Sequence, residues 1–197
     1  MILRIHVLAI ALLVSASLSV FAAQEKPVTP VPVPKEMLEG TRLILKNTGC
    51  SVDLPAPGWS WMTYENSGNN FLCVHSKTFE TYIVGINTLK HEMVPHQPES
   101  LIAGARKTQE ARGGKMENDK FEFIETPGTI KTAKITFNEI DKAGKKTFAC
   151  VYLFQLPDFT LIKMHCNTPY TTEPVSFNTM IKSLKITKSA TPPAAVK

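Results

Sequence analysis

The chain carries none of the short signatures of nucleophilic or phosphate chemistry. It has no Gly-x-Ser-x-Gly elbow, no Ser-x-x-Lys pair and no Walker-type glycine loop. Gly113-Gly114 follows a helical pattern and does not open one, so it offers no helix N-terminus to a phosphate. Cys-x-x-Cys spacing is missing as well, which removes a common means of lowering a thiol pKa. The one metal-like string, His91-Glu92-Met93-Val94-Pro95-His96, sets its histidines at i and i+5 with Pro95 between them. A zinc protease needs i and i+4 on an unbroken helix, so neither a metal nor a cofactor is implied. The lysines are dispersed and no aromatic-rich RNA motif accompanies them, which argues against nucleic acid as a partner. No internal repeat is visible.

What is present starts with an export signal. Arg4 supplies a positive n-region, Val7 to Leu18 is an apolar stretch, and Val20 and Ala22 suit the −3 and −1 positions of a signal-peptidase site. Residues 1–22 therefore read as a signal peptide, with the mature protein starting at Ala23 in the periplasm or outside the cell and keeping no transmembrane span. An uncleaved anchor is the alternative, since the apolar run continues to Ala23; Ser15, Ser17 and Ser19 favour cleavage. All four cysteines, Cys50, Cys73, Cys150 and Cys166, lie beyond the cut. In an oxidising compartment an even count favours two disulfides.

The remainder suits one domain of about 150 residues. At 43% hydrophobic and 20% charged it is an ordinary globular composition. Net charge is +5 before Arg4 is removed, an excess that fits a solvated basic surface or an anionic partner. Pro27, Pro30, Pro32 and Pro34 forbid helix, so residues 23–36 read as an extended linker, residues 37–188 as the domain and residues 189–197 as a disordered tail.

Inside the domain the hydrophobic period is mostly two. Strands are expected at Cys50 to Leu54, Trp59 to Tyr64, Phe71 to His75 and Phe79 to Lys90, with turns at Pro57-Gly58 and Ser67-Gly68-Asn69. Lys35 to Lys46 reads as a short helix and then a strand. A helix follows Pro98, with Leu101, Ile102, Ala105 and Thr108 along one side and Gly113-Gly114 as its stop. A four-strand meander comes next: Phe121 to Glu125, Ile130 to Ile140, Thr147 to Leu156 and Phe159 to Asn167. Phe148 to Phe154 is apolar on both faces, which places that strand at the centre of a sheet covered on both sides. Phe177, Ile181 and Leu184 then mark a last amphipathic helix. The fold class is α+β: an antiparallel sheet flanked by helices.

Three stretches, Val52-Asp-Leu-Pro55 running into Pro57-Gly58-Trp59, the meander from Lys120, and Phe177-Asn-Thr-Met-Ile-Lys-Ser183, resemble the PsbP-like domain. The resemblance covers most of Cys50 to Ile186. It implies an antiparallel sheet sandwiched by helices and a role in protein binding or assembly, since that family includes photosystem accessory subunits, a nuclear-transport factor and exported bacterial proteins. It carries no catalytic residue set. The four cysteines depart from the family's general pattern.

Residues 150 and 166 sit nearly equidistant from the Pro157-Asp158 turn and on one face, so a Cys150–Cys166 bridge is geometrically credible and leaves Cys50 to pair with Cys73; two other connectivities stay open. Trp59 and Trp61 share a face, and they either fill the core or, with Tyr64, form a stacking platform; Trp61 and Tyr64 are the binding candidates. Three functions follow. The first is an exported non-catalytic binding or assembly module with a protein partner. The second is an envelope-acting hydrolase with His75 or His165 as base. The third is a binder of anionic lipid or polymer through Lys131, Lys134, Lys142, Lys145, Lys146 and Lys163.

Overall fold

The computed structural model describes residues 29–64 and 69–187. The signal peptide, the first part of the linker, the Ser67-Gly68 turn and the C-terminal tail lie outside the described residues.

The larger of two sheets has eight strands: β1 (Pro30–Pro32), β5 (Trp59–Tyr64), β6 (Asn70–His75), β7 (Thr81–Thr88), β8 (Lys115–Ile124), β9 (Lys131–Ile140), β10 (Lys146–Gln155) and β11 (Thr160–Thr168). It is antiparallel throughout and ordered β1-β5-β6-β7-β11-β10-β9-β8. The smaller sheet is built from β2 (Leu38–Glu39), β3 (Arg42–Leu45), β4 (Cys50–Val52) and β12 (Lys185–Ile186), in the order β12-β4-β3-β2. Helix α1 spans His96–Ala111 and α2 spans Val175–Lys182, and a 3₁₀ turn at Lys35–Met37 precedes β2. This is an α+β fold with the expected meander, β8 to β11, as half of its main sheet.

The two faces of the large sheet are packed differently. One face carries Trp59, Phe71, Tyr82, Tyr152, Phe154, Ile162 and Met164, and it closes against Leu43, Leu45 and Val52 of the small sheet and Phe177 and Met180 of α2. The opposite face carries Ala133, Ile135, Phe137, Ala149, Val151 and Leu153, covered by Ile102 of α1 and by Met93. β10 is buried on both faces from Ala149 to Gln155, as a central strand apolar on both sides must be.

Three boundaries differ from the sequence reading. The second half of the linker is a strand, β1, paired with β5 in the register Val31↔Thr63. Its prolines alternate, so Pro30 and Pro32 withhold N–H groups on one side while Val33 N–H donates to Trp61 O at 3.3 Å on the other, the pattern an edge strand tolerates. β7 starts at Thr81 and not at Phe79, because Phe79 sits at φ +58 in the preceding turn with its ring exposed. β8 begins at Lys115, well before Phe121, because Asn118 at φ +55 and a register shift between Glu117 and Lys120 break the alternation that reveals a strand. Gly114 ends the α1 corner for a steric reason: a Cβ there would meet Ile140 O at 2.5 Å.

Candidate functional site

Trp61 and Tyr64 do not form a platform. Trp61 is 5% exposed and its indole N–H donates to Thr41 O at 3.0 Å, while Trp59 stacks on Tyr82 with centroids 4.7 Å apart. Both tryptophans belong to the core under the small sheet. Tyr64 is half-buried, and burial raises its phenol pKa.

The cysteines are free and buried in this structure, so neither expected bridge is formed. Cys150 and Cys166 do stand directly opposite each other, as the hairpin spacing implies. Cys73 lies one strand further along the same row, beyond Tyr82. Cys50 instead sits on β4 of the small sheet, opposite Ile186 and away from that row. Burial pushes the Cys166 thiol up to about 12 and raises the other three as well, so none is an activated nucleophile.

The histidines fare no better as bases. His75 and His165 fall on opposite faces of the sheet and share no cleft. His75 lies tilted beside Trp59 with ring centroids 5.1 Å apart, and its Nδ1 accepts the Thr78 N–H at 3.1 Å. His165 is 6% exposed, its Nε2 has no hydrogen-bond partner among the described residues, and burial drives its pKa down to about 3. Among the described residues no three metal-ligating side chains converge.

The six lysines of the anionic-surface reading are scattered. Lys134 binds Glu173 at 2.7 Å on the small-sheet side, where Tyr152 O–H also donates to Glu173 at 3.2 Å. Lys131 points to the opposite face and binds Glu92 at 2.6 Å. Lys142 and Lys145 occupy the β9–β10 turn with Lys146 beside it, and Lys163 is desolvated on β11, where burial lowers its pKa. No single patch results.

An apolar recess does exist where the sequence reading placed only a turn. Residues 123–131, the end of β8 with the turn into β9, enclose an open hollow of about 620 Å³. Pro127 and Gly128 make the turn; Gly128 has φ +81, and a Cβ on it would lie 3.1 Å from Ile186, so the small sheet backs this corner and a larger residue would be strained in its backbone and would have to push Ile186 aside. Thr129 O–H donates to Thr126 O at 2.9 Å, and Ile130 N–H donates to Gln155 O at 2.8 Å, which pins the returning chain to the end of β10. Phe123 and Ile130 remain 39% and 41% exposed. Lys131 lies over the Phe123 ring at 5.1 Å and donates to Met93 O at 3.0 Å. Buried Gln155 clamps the same loop, accepting the Met93 N–H at 2.7 Å and donating to His91 O at 2.9 Å. The result is an open hollow whose apolar lining, Phe123, Ile124, Pro127 and Ile130, is bordered by Glu125 and Lys131, and it is able to seat a side chain. Sequence reading missed it because Phe123 and Ile130 look like ordinary strand residues. The available signal was an aromatic and a β-branched residue flanking a Pro-Gly turn on strands otherwise lined by charge.

No protein-family model and no curated protein matches the chain. A solved structure does: the solution structure of cyanobacterial PsbP (CyanoP) from Synechocystis sp. PCC 6803 superposes with a TM-score of 0.54 at 11% identity, covering 86% of this chain and 99% of that one. The chain has the PsbP-like fold.

Proposed function

We propose that this chain is an exported, non-catalytic module that binds or helps assemble another component of the cell envelope or the secreted fraction, seating an apolar side chain of a protein partner in the recess of residues 123–131. The observation that carries the reading is the recess itself: two large apolar side chains held exposed by a backbone tied to Gln155 and backed by Ile186. Apolar residues that a fold keeps rigid and open on its surface mark binding sites more often than isolated exposed ones do. The fold agrees, since the PsbP-like resemblance implies binding and not turnover. No helix among the described residues is long and apolar enough to cross a membrane.

The test is cross-linked capture from the native envelope fraction with the purified chain and its Ile130→Asp variant. A species captured by the first and lost with the second supports the reading. Capture that Ile130→Asp leaves intact removes the recess from it. Export is checked separately, by N-terminal sequencing of the secreted or periplasmic material, which is expected to begin at Ala23.

A further inference from the structure

The large sheet has two free edges, and they are finished differently. β1 is three residues long with proline at both ends, so it cannot serve as a template for another strand. β8 is ten residues long, contains no proline or glycine, and among the described residues pairs only with β9. Among the described residues no strand lies against its outward backbone groups from Lys120 to Ile124, after the bulge.

The charges along this edge are also distinctive. Elsewhere on β8 they are spoken for: Lys115 binds Glu117 at 2.6 Å, and Asp119 binds Arg106 of α1 at 2.5 Å. Lys120 and Glu122 are exposed and, among the described residues, enter no ion pair.

We infer that β8 pairs antiparallel with β8 of a second copy of this chain about a two-fold axis through Phe121. In that register Lys120 of each copy stands opposite Glu122 of the other, so both unpaired charges are matched twice. The neighbouring registers do worse: centring on Glu122 sets two carboxylates face to face, centring on Lys120 does the same for two ammonium groups, and centring on Phe123 leaves Lys120 and Glu122 without opposite charges. On the opposite side of the ribbon Phe121 meets Phe121, and each Phe123 becomes a diagonal neighbour of the other copy's Phe121, within reach of an aromatic side chain. Phe121 and Phe123 already sit edge to face at 5.8 Å, so the join extends an existing aromatic contact into a row of four rings. An isologous pairing of this kind closes on itself, which distinguishes it from open-ended edge aggregation. The inference does not rest on the partner proposed above, although the recess shares Phe123 and Ile124 with the joined edge.

Sedimentation of the purified chain tests it. The chain is expected to be dimeric, Lys120→Glu and Glu122→Lys each monomeric, and a one-to-one mixture of the two variants dimeric again, since the first then presents two carboxylates along its edge and the second two ammonium groups. The mixture also serves as the control that both variants are folded. Ile130→Asp, off the edge strand, is expected to stay dimeric. A monomeric parent chain, a dimer indifferent to either reversal, or a mixture that stays monomeric would each overturn the proposal.

Discussion

The two faces of the large sheet belong to the same strands yet differ in how their aromatic side chains place their polar atoms. Under the small sheet three aromatic polar tips end on partners, Trp61 on Thr41 O, Tyr82 on Ser176 at 2.5 Å and Tyr152 on Glu173, while one buried oxygen of Glu80, near Tyr82 and Cys166, has none among the described residues. Under α1, Glu139 accepts a hydrogen bond from Asn167 at 2.6 Å, but the Nε2 of His165 ends on nothing. Reach explains much of this contrast. A phenol or indole spans its layer and arrives at the rim, whereas an imidazole on β11 stops among Ile83, Val151 and their neighbours.

The comparison can be broken at several points. Phe154→Ala should cost about 3–5 kcal/mol and Ile135→Ala about 2–5 kcal/mol in urea denaturation, so both faces count as core and their apolar costs overlap. A midpoint unchanged by Phe154→Ala would take β10 out of the core. What should separate the faces is acid. The pKa of His165 falls from 6.5 unfolded to about 3 folded, so below pH 6.5 the unfolded chain binds a proton that the folded one refuses. Stability should therefore fall with pH from about 6.5 towards 3, by on the order of 5 kcal/mol in all. His165→Leu should flatten that limb; the same slope in both proteins would assign it to other groups.

The small-sheet side, in turn, holds all four thiols. Register partners in an antiparallel ladder have Cα atoms roughly 4.5–5.5 Å apart, inside the range a disulfide spans. Oxidised in an exported setting, Cys150 and Cys166 should bridge and add about 3 kcal/mol in the chain-entropy account, which non-reducing peptide mapping and paired melts would show. The smallest effect is expected from Trp61→Phe, which keeps an aromatic ring and removes one hydrogen bond to Thr41. It should cost about 1 kcal/mol in thermal or urea unfolding.

Sequence periodicity disclosed the strands wherever both neighbours of a strand are regular. Trp59–Tyr64 and the β9–β11 meander are bounded to within a residue or so of their expectation, and the Cys150↔Cys166 register follows from the turn between them. It failed where backbone conformation overrides pattern: at Phe79 and Asn118, both left-handed without being glycine, and at Pro30–Pro32, where alternating proline mimics a linker. Site residues were less legible for a different reason. Trp61 and Phe123 each alternate on a strand, and nothing in that pattern says that the small sheet covers the first while the turn at Gly128 leaves the second open. Burial of either depends on elements far away in the chain.

That distance has a consequence in time. The small sheet is completed by β12, whose Lys185 and Ile186 pair with Ser51 and Cys50, and the corner is tied further by a 2.9 Å bond from Asp53 N–H to Ser183 Oγ, 130 residues apart. The meander can assemble from neighbouring hairpins, but this closure must bring two remote stretches together, and contacts of high sequence separation are the slow ones. A chain threaded N-terminus first holds β2, β3 and β4 long before their fourth strand arrives. During that interval Leu43, Leu45 and Val52 have only an unfinished lid to join, which makes the interval before β12 emerges the one in which this protein is most open to capture by other chains.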